Sequence, residues 1–199
     1  MHILDNPHIW QLFREFNEHV FGQYSKAMAT IRSFGISDQM SVLDVGSGIG
    51  QYSELTKGRY LGIDMNKEYI NQAKQIYIDN PSINFLCEDL GKAELSEAAF
   101  DVSLLIDFTH HLSTEELNRV FFELNRVTSQ YIVICDPVKQ SAKNLLGRLL
   151  TYLDRGEYIR SEAELITLIS NHFEILKVKK SRGLMSIEGV FVLAKPIIK

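Results

Sequence analysis

Twelve residues, Val42-Leu43-Asp44-Val45-Gly46-Ser47-Gly48-Ile49-Gly50-Gln51-Tyr52-Ser53, decide how the rest of this 199-residue chain is read. Ser41 to Val45 has the composition of a buried strand, and a glycine cluster closes it. Gly46, Gly48 and Gly50 stand at alternate positions, so the backbone can turn tightly and come close to a ligand at the start of whatever helix follows. A dinucleotide fingerprint would place its third glycine one residue later, where Gln51 stands. A Walker A loop is excluded as well, because no Gly-Lys-Ser/Thr follows.

Downstream of this loop, strand and helix signals alternate. The pattern predicts a short helix over 51–56, a strand over 60–63, a helix over 67–78 capped by Asn66, and strands over 83–86 and 100–106. Ser113 with Glu116 makes a capping box for a helix reaching Val127, and Tyr131 to Cys135 is a β-branched strand. Ser161 with Glu164 opens a further helix to about Asn171, before strands over 173–180 and 187–194 joined near Arg182-Gly183. Upstream, Ile9, Phe13, Phe16, Val20, Tyr24, Ala27 and Ile31 recur at helical spacing, with Gly22 a point of division. The fold class expected is α/β: a doubly wound, seven-stranded sheet, mostly parallel, with an antiparallel C-terminal edge pair and helices on both faces.

Length permits one sizeable core, so a single domain over 1–199 is expected, with 139–160 as a helical insertion carrying the run LLGRLLTYL and an Asp154-Arg155-Gly156 turn. A share of 45% hydrophobic and 23% charged residues is that of a globular chain. The net charge of -4, without a basic run, argues against a nucleic-acid partner. Cys87 and Cys135 lie far apart, so neither a disulfide framework nor a zinc site is signalled, and a cytoplasmic location is expected. Neither a secretory signal nor a bilayer-spanning run is seen, so no membrane partner is expected.

The segment VLDVGSGIGQYS resembles the first motif of the class I S-adenosylmethionine-dependent methyltransferases, small-molecule type, and the likeness runs from about Ser41 to Ala194. Asp64 in YLGIDMN, Asp89 in NFLCEDL and the stretch FDVSLLIDFTHHL match three further motifs in order. The resemblance implies a Rossmann-like fold and the cofactor S-adenosyl-L-methionine. It further implies that Gly46, Ser47, Gly48 and Gly50 approach the amino-acid end of the cofactor, with Asp44 orienting the loop or a water. Asp64 and Met65 would meet the ribose, Asp89 and Leu90 the adenine, and Ile106 and Asp107 the methionine portion. Residues 1–40 would form a helical lid with Trp10, Phe13, Phe16 and Phe21 mostly in the core and Tyr24 as its contact to the cofactor.

The implied reaction is in-line methyl transfer to an O, N or C atom of a small molecule. For a hydroxyl acceptor, His110 and His111 are candidate general bases, with His111 preferred; the alternative is that one caps or packs the next helix. Asp107, His110, His111 and Asp136 do not make a full ligand set, so no metal is expected. Missing Asn/Asp-Pro-Pro-Tyr, CxxxCxxC and paired-glutamate motifs argue against DNA-base, radical and protein-arginine methylation. Lys139, Lys143, Arg148, Arg155 and Arg160 outnumber Asp154 and Glu157, which fits either an anionic acceptor or a solvated helix face. A monomer or homodimer is expected. A non-catalytic S-adenosylmethionine-binding regulatory protein of the same fold is the competing reading.

Overall fold

The computed structural model describes residues 23–153, 156–182 and 187–197. Trp10, Phe13, Phe16, Phe21 and Gly22 of the expected lid, and Asp154, Arg155 and Gly183 of the expected turns, lie outside the described residues. In chain order the elements are α1 (Gln23–Arg32), β1 (Val42–Val45), β2 (Tyr60–Asp64), α2 (Lys67–Ile76), β3 (Ile83–Cys87), β4 (Phe100–Ile106), α3 (Thr114–Val127), β5 (Thr128–Pro137), α4 (Leu145–Leu153), α5 (Glu162–Ser170), β6 (Phe173–Arg182) and β7 (Glu188–Pro196). The strands make a seven-stranded sheet in the order β3-β2-β1-β4-β5-β7-β6. Pairs β1–β2, β2–β3 and β4–β5 are parallel, while β5–β7 and β6–β7 are antiparallel. This is the mixed, Rossmann-like sheet that the alternation predicts.

The chain divides into two compact units, the first ending at Asp89 and the second beginning at Leu90. In the first, Ile31, Leu43, Tyr60, Ile63 and Ile70 are fully buried. Asn66 caps α2 by accepting hydrogen bonds from Glu68 N and Tyr69 N. That helix stops at Ile76, two residues earlier than its apolar pattern suggests, with Tyr77 as C-cap and Pro81 shortly beyond. Between β1 and β2 the expected helix is only a 3-10 turn at Ser53–Leu55. Positive φ at Gly46, Gly48 and Gly50 confines the turning to the loop ahead of it.

In the second unit both capping boxes form, Ser113 with Glu116 and Ser161 with Glu164. Phe121 of α3 and Phe173 of β6 are buried and meet edge to face at 5.2 Å between ring centroids. β5 begins directly after α3 and is twice as long as its β-branched run, since it pairs with β4 on one side and β7 on the other. The edge strand β6 carries exposed Lys177, Lys179 and Lys180, charges that oppose pairing with another chain. Among the described residues, no helix is long and apolar enough to cross a membrane.

Candidate cofactor site

In the first unit the loop after β1 is held by main-chain bonds to the end of β2: Gly46 N and Ser47 N both donate to Ile63 O, at 2.8 and 3.1 Å. Gly46, Gly48 and Gly50 have φ of 76°, 55° and 82°, a region that costs an L-residue roughly 1–2 kcal/mol. Gly48 and Gly50 differ in their surroundings. A Cβ at Gly48 would meet nothing within 4 Å, so this glycine borders open space. At Gly50 a Cβ would run into Phe85 Cζ and lie 2.7 Å from Phe85 Cε1, so only glycine lets the loop close over that ring. Phe85 cannot swing away freely, because Tyr60 and Tyr77 pack on it at centroid distances of 5.8 and 5.6 Å, and Tyr77 Oη also donates to Gly50 O.

Asp64, half-buried at the end of β2, ties the two motifs together. Its Oδ2 accepts from Gly48 N at 2.9 Å and its Oδ1 from Asn66 N at 2.8 Å. A carboxylate has about four acceptor directions, so these bonds leave lone pairs for hydroxyl donors. Met65 is 74% exposed beside it. Ser47 Oγ is buried without a partner, the kind of orphan that a bound polar group satisfies. Gly48 therefore borders open space beside a carboxylate with spare acceptor capacity, with the unpaired Ser47 hydroxyl buried beneath the loop.

Asp44 is 1% exposed and accepts a 2.6 Å hydrogen bond from Tyr60 Oη. Burial pushes its carboxyl up to about 7, opposed by the Tyr60 bond and helped by the charge of Asp64, and the same burial drives the Tyr60 phenol well above its ordinary value. Asp44 is thus tied to a buried tyrosine across β1 and β2. Asp89 is exposed after β3. Tyr24 of α1 is half-buried, its ring 5.5 Å from that of Tyr52.

In the second unit Leu90 is 4% exposed and Ile106 6%, so both are buried. Asp107 is exposed and carries φ 51°, with its N–H donating to Cys135 O at 2.8 Å; such backbone strain in a non-glycine residue concentrates at functional positions. Asp136, buried at the end of β5, organises the turn that follows: its Oδ1 accepts from Phe108 N, Thr109 N and His110 Nδ1 at 3.0, 3.1 and 3.0 Å, and its Oδ2 from Thr109 Oγ1. His110 is 2% exposed, while His111 is exposed and stacks on it at 4.1 Å between ring centroids. Arg160 does not belong with the surface cations. It is 8% exposed and donates to the carbonyls of Thr109 and Leu112 at 2.9 and 2.8 Å, and burial lowers its pKa. Lys139 N donates to Arg160 O at 2.8 Å, so the segment 139–160 leaves and returns at one point. Among the described residues, no group of three or more His, Cys, Asp and Glu is arranged to hold a metal.

Sequence reasoning missed Gly62, Tyr60 and Phe85, and it weighed Asp136 only as a metal ligand, not as the acceptor that gathers the turn at 108–110. Gly62 has a readable signal, a glycine inside the strand YLGID, and a Cβ there would lie 2.6 Å from Ser47 Oγ. A larger concavity of about 390 Å³, lined by residues such as Lys74, Tyr77, Pro81 and Ile83, lies at the amino end of β3. Doubly wound sheets bind at the carboxyl ends of their strands, so it is not the cofactor site.

Sheet order and the glycine loop after β1 define a doubly wound α/β protein. Residues 43–131 match the methyltransferase domain family. A stretch of 90 residues, 43% of this chain, is 32% identical to phosphoethanolamine N-methyltransferase of Plasmodium falciparum (isolate 3D7) and spans about a third of that relative, 34% of its length. In fold the chain is similar to a SAM-dependent methyltransferase from Methanosarcina mazei, with TM-score 0.71 and 22% identity over 85% of this chain and 98% of that one. It is likewise similar to magnesium protoporphyrin IX methyltransferase from Synechocystis PCC 6803 with bound SAH, with TM-score 0.67 and 18% identity over 86% and 80% of the two chains. These likenesses show a methyltransferase-type fold, with a methyltransferase-domain sequence match confined to residues 43–131.

Proposed function

We propose that the chain transfers the methyl group of S-adenosylmethionine to a small molecule carrying an anionic group. The observation that carries this reading is the Gly48–Asp64 clamp beside the unpaired Ser47 hydroxyl. The bound cofactor supplies a methyl group already activated on a sulfonium. Gly46, Ser47, Gly48 and Gly50 hold its amino-acid end, Asp64 and Met65 the ribose, Asp89 and Leu90 the adenine, and Ile106 and Asp107 the methionine portion, with Tyr24 as the lid contact. What remains for the protein is to bind, orient and exclude water, and holding the acceptor in line is worth roughly 7–11 kcal/mol.

For an O–H or N–H acceptor, the exposed His111 imidazole takes the departing proton. His110, fixed by Asp136, positions that ring through their stack. An anionic acceptor is supported by exposed Lys143 and Arg148, and by the phosphate in the name of the Plasmodium relative's substrate. A cytoplasmic location is supported by the free thiols of Cys87 and Cys135, and a monomer or homodimer is the working assembly. The test is incubation with S-adenosylmethionine and a panel of small anionic amines and alcohols, followed by mass spectrometry. A product heavier by one methylene is expected; cofactor binding with no methylated product across the panel would favour the non-catalytic reading.

A further inference from the structure

Helix α4, Leu145–Leu153, carries a row of exposed apolar side chains. Leu145, Leu149 and Tyr152 succeed one another by one helical turn and are 73%, 55% and 84% exposed, with Leu146 beside them at 48%. The opposite side faces the protein. Gly147 is buried there, donating to Asn144 Oδ1 at 3.0 Å, and a Cβ would lie 2.6 Å from Gln140 Oε1. Gln140 is in turn clamped to both main-chain groups of Glu188 at 2.7 and 2.9 Å, so the helix stands on a fixed base at the start of β7.

Lys139 is paired with Glu164 at 3.1 Å, so Lys143 and Arg148 are the cations that border this face. From Lys139 to Leu153 the chain has Lys139, Lys143 and Arg148 and no acidic residue, although the whole protein carries -4. The nearby Glu188 carboxylate is taken by Ser141 N and Oγ at 2.9 and 3.0 Å. Arg148, exposed, lies at the border of the leucine stripe, where a long cationic side chain can keep its head in the polar layer while its stem lies on apolar material. Beside it opens a shallow concavity of about 280 Å³ lined by Lys139, Gln140, Arg148, Thr151, Tyr152 and Ile159, polar and cationic where the helix face is apolar.

We infer that α4 docks on the surface of a bilayer rich in anionic phospholipid, with its leucines and Tyr152 in the headgroup–acyl boundary and Lys143 and Arg148 on the lipid phosphates. An apolar stripe bordered by cations is the pattern of a helix lying in the interface plane. Nine residues are far short of the roughly 20 that span a bilayer. The inference therefore departs from the sequence expectation of no membrane partner, which rested on the absence of a spanning run. It does not depend on methyl transfer, and its test reads no activity.

The test is co-sedimentation with vesicles of phosphatidylglycerol and phosphatidylcholine, against vesicles of phosphatidylcholine alone. The parent partitions to the anionic vesicles, less so as salt rises. Leu145→Ser/Leu149→Ser, with unchanged thermal melting, lowers partitioning at least tenfold, and Arg148→Gln lowers it about fivefold. Tyr152→Ser serves as the apolar test if the double variant fails to fold. The inference is overturned by a parent that stays in the supernatant, by equal binding to both vesicle types, or by variants that bind like the parent. It is also overturned if light scattering finds a dimer of the parent that the double variant dissolves while vesicle binding is absent, since the face would then belong to a second copy.

Discussion

Replacing Asp44 by Asn should change how stability depends on pH more than it changes stability at any one pH. The carboxyl is 1% exposed, and burial raises its pKa from 3.8 to about 7. The folded state therefore holds this proton more tightly than the unfolded chain does. For an acid shifted in this direction, the stabilising contribution is complete below pH 3.8 and is lost as pH climbs through about 7. A shift of about three units at about 1.4 kcal/mol each amounts to on the order of 4 kcal/mol, of which about 3 kcal/mol disappears between pH 5 and 8.5. The carboxylates of Glu116 and Glu164 are lowered, the latter to about 2, and push the profile the opposite way at acid pH. The parent-minus-variant difference removes their effect. Urea denaturation at half-unit pH steps is the assay, and the amide introduced by Asp44→Asn can still accept from Tyr60 Oη. The difference should fall steadily from pH 5 to 8 and flatten above it. Parallel curves, constant within about half a kcal/mol, would refute the buried, proton-retaining Asp44.

Gly50→Ala should cost about 2–4 kcal/mol by thermal melting, since its Cβ would strike the wedged Phe85 ring. Gly48→Ala should cost only about 1–2 kcal/mol, from φ alone, while weakening cofactor binding; equal losses in the two variants would contradict the difference in their surroundings. Asp136→Ala strips an acceptor from Phe108 N, Thr109 N, Thr109 Oγ1 and His110 Nδ1 and should destabilise by about 3–5 kcal/mol in urea, a loss under 1 kcal/mol counting against its organising role. With a hydroxyl acceptor, His111→Ala should lower turnover by about 10²–10⁴-fold with cofactor affinity unchanged, and undiminished turnover would discard it as the base.

The fold was legible because its signals are local. Glycines at 46, 48 and 50, the Ser113–Glu116 and Ser161–Glu164 boxes and the β-branched run before Cys135 each specify their own backbone, and each element formed where its residues place it. The short helix expected over 51–56 forms only as a 3-10 turn at Ser53–Leu55, a difference that apolar spacing does not resolve. Side-chain partners across strands were not legible. Nothing in the spacing of Asp44 and Tyr60 says that the phenol donates to the carboxyl across β1 and β2, nor that Asp136 gathers the turn at 108–110 from the next strand. Arg160 looked like a surface cation for the same reason, since only the folded chain brings the carbonyls of Thr109 and Leu112 to it.

The central claim is that the glycine loop and Asp64 together cradle the adenosyl sulfonium, and calorimetric titration with S-adenosylhomocysteine tests it most directly. The parent should bind, and Asp64→Ala, which loses the acceptor for Gly48 N, should bind more than tenfold more weakly while remaining folded. A parent that gives no binding heat at millimolar ligand, or a variant with the parent's affinity, would contradict it.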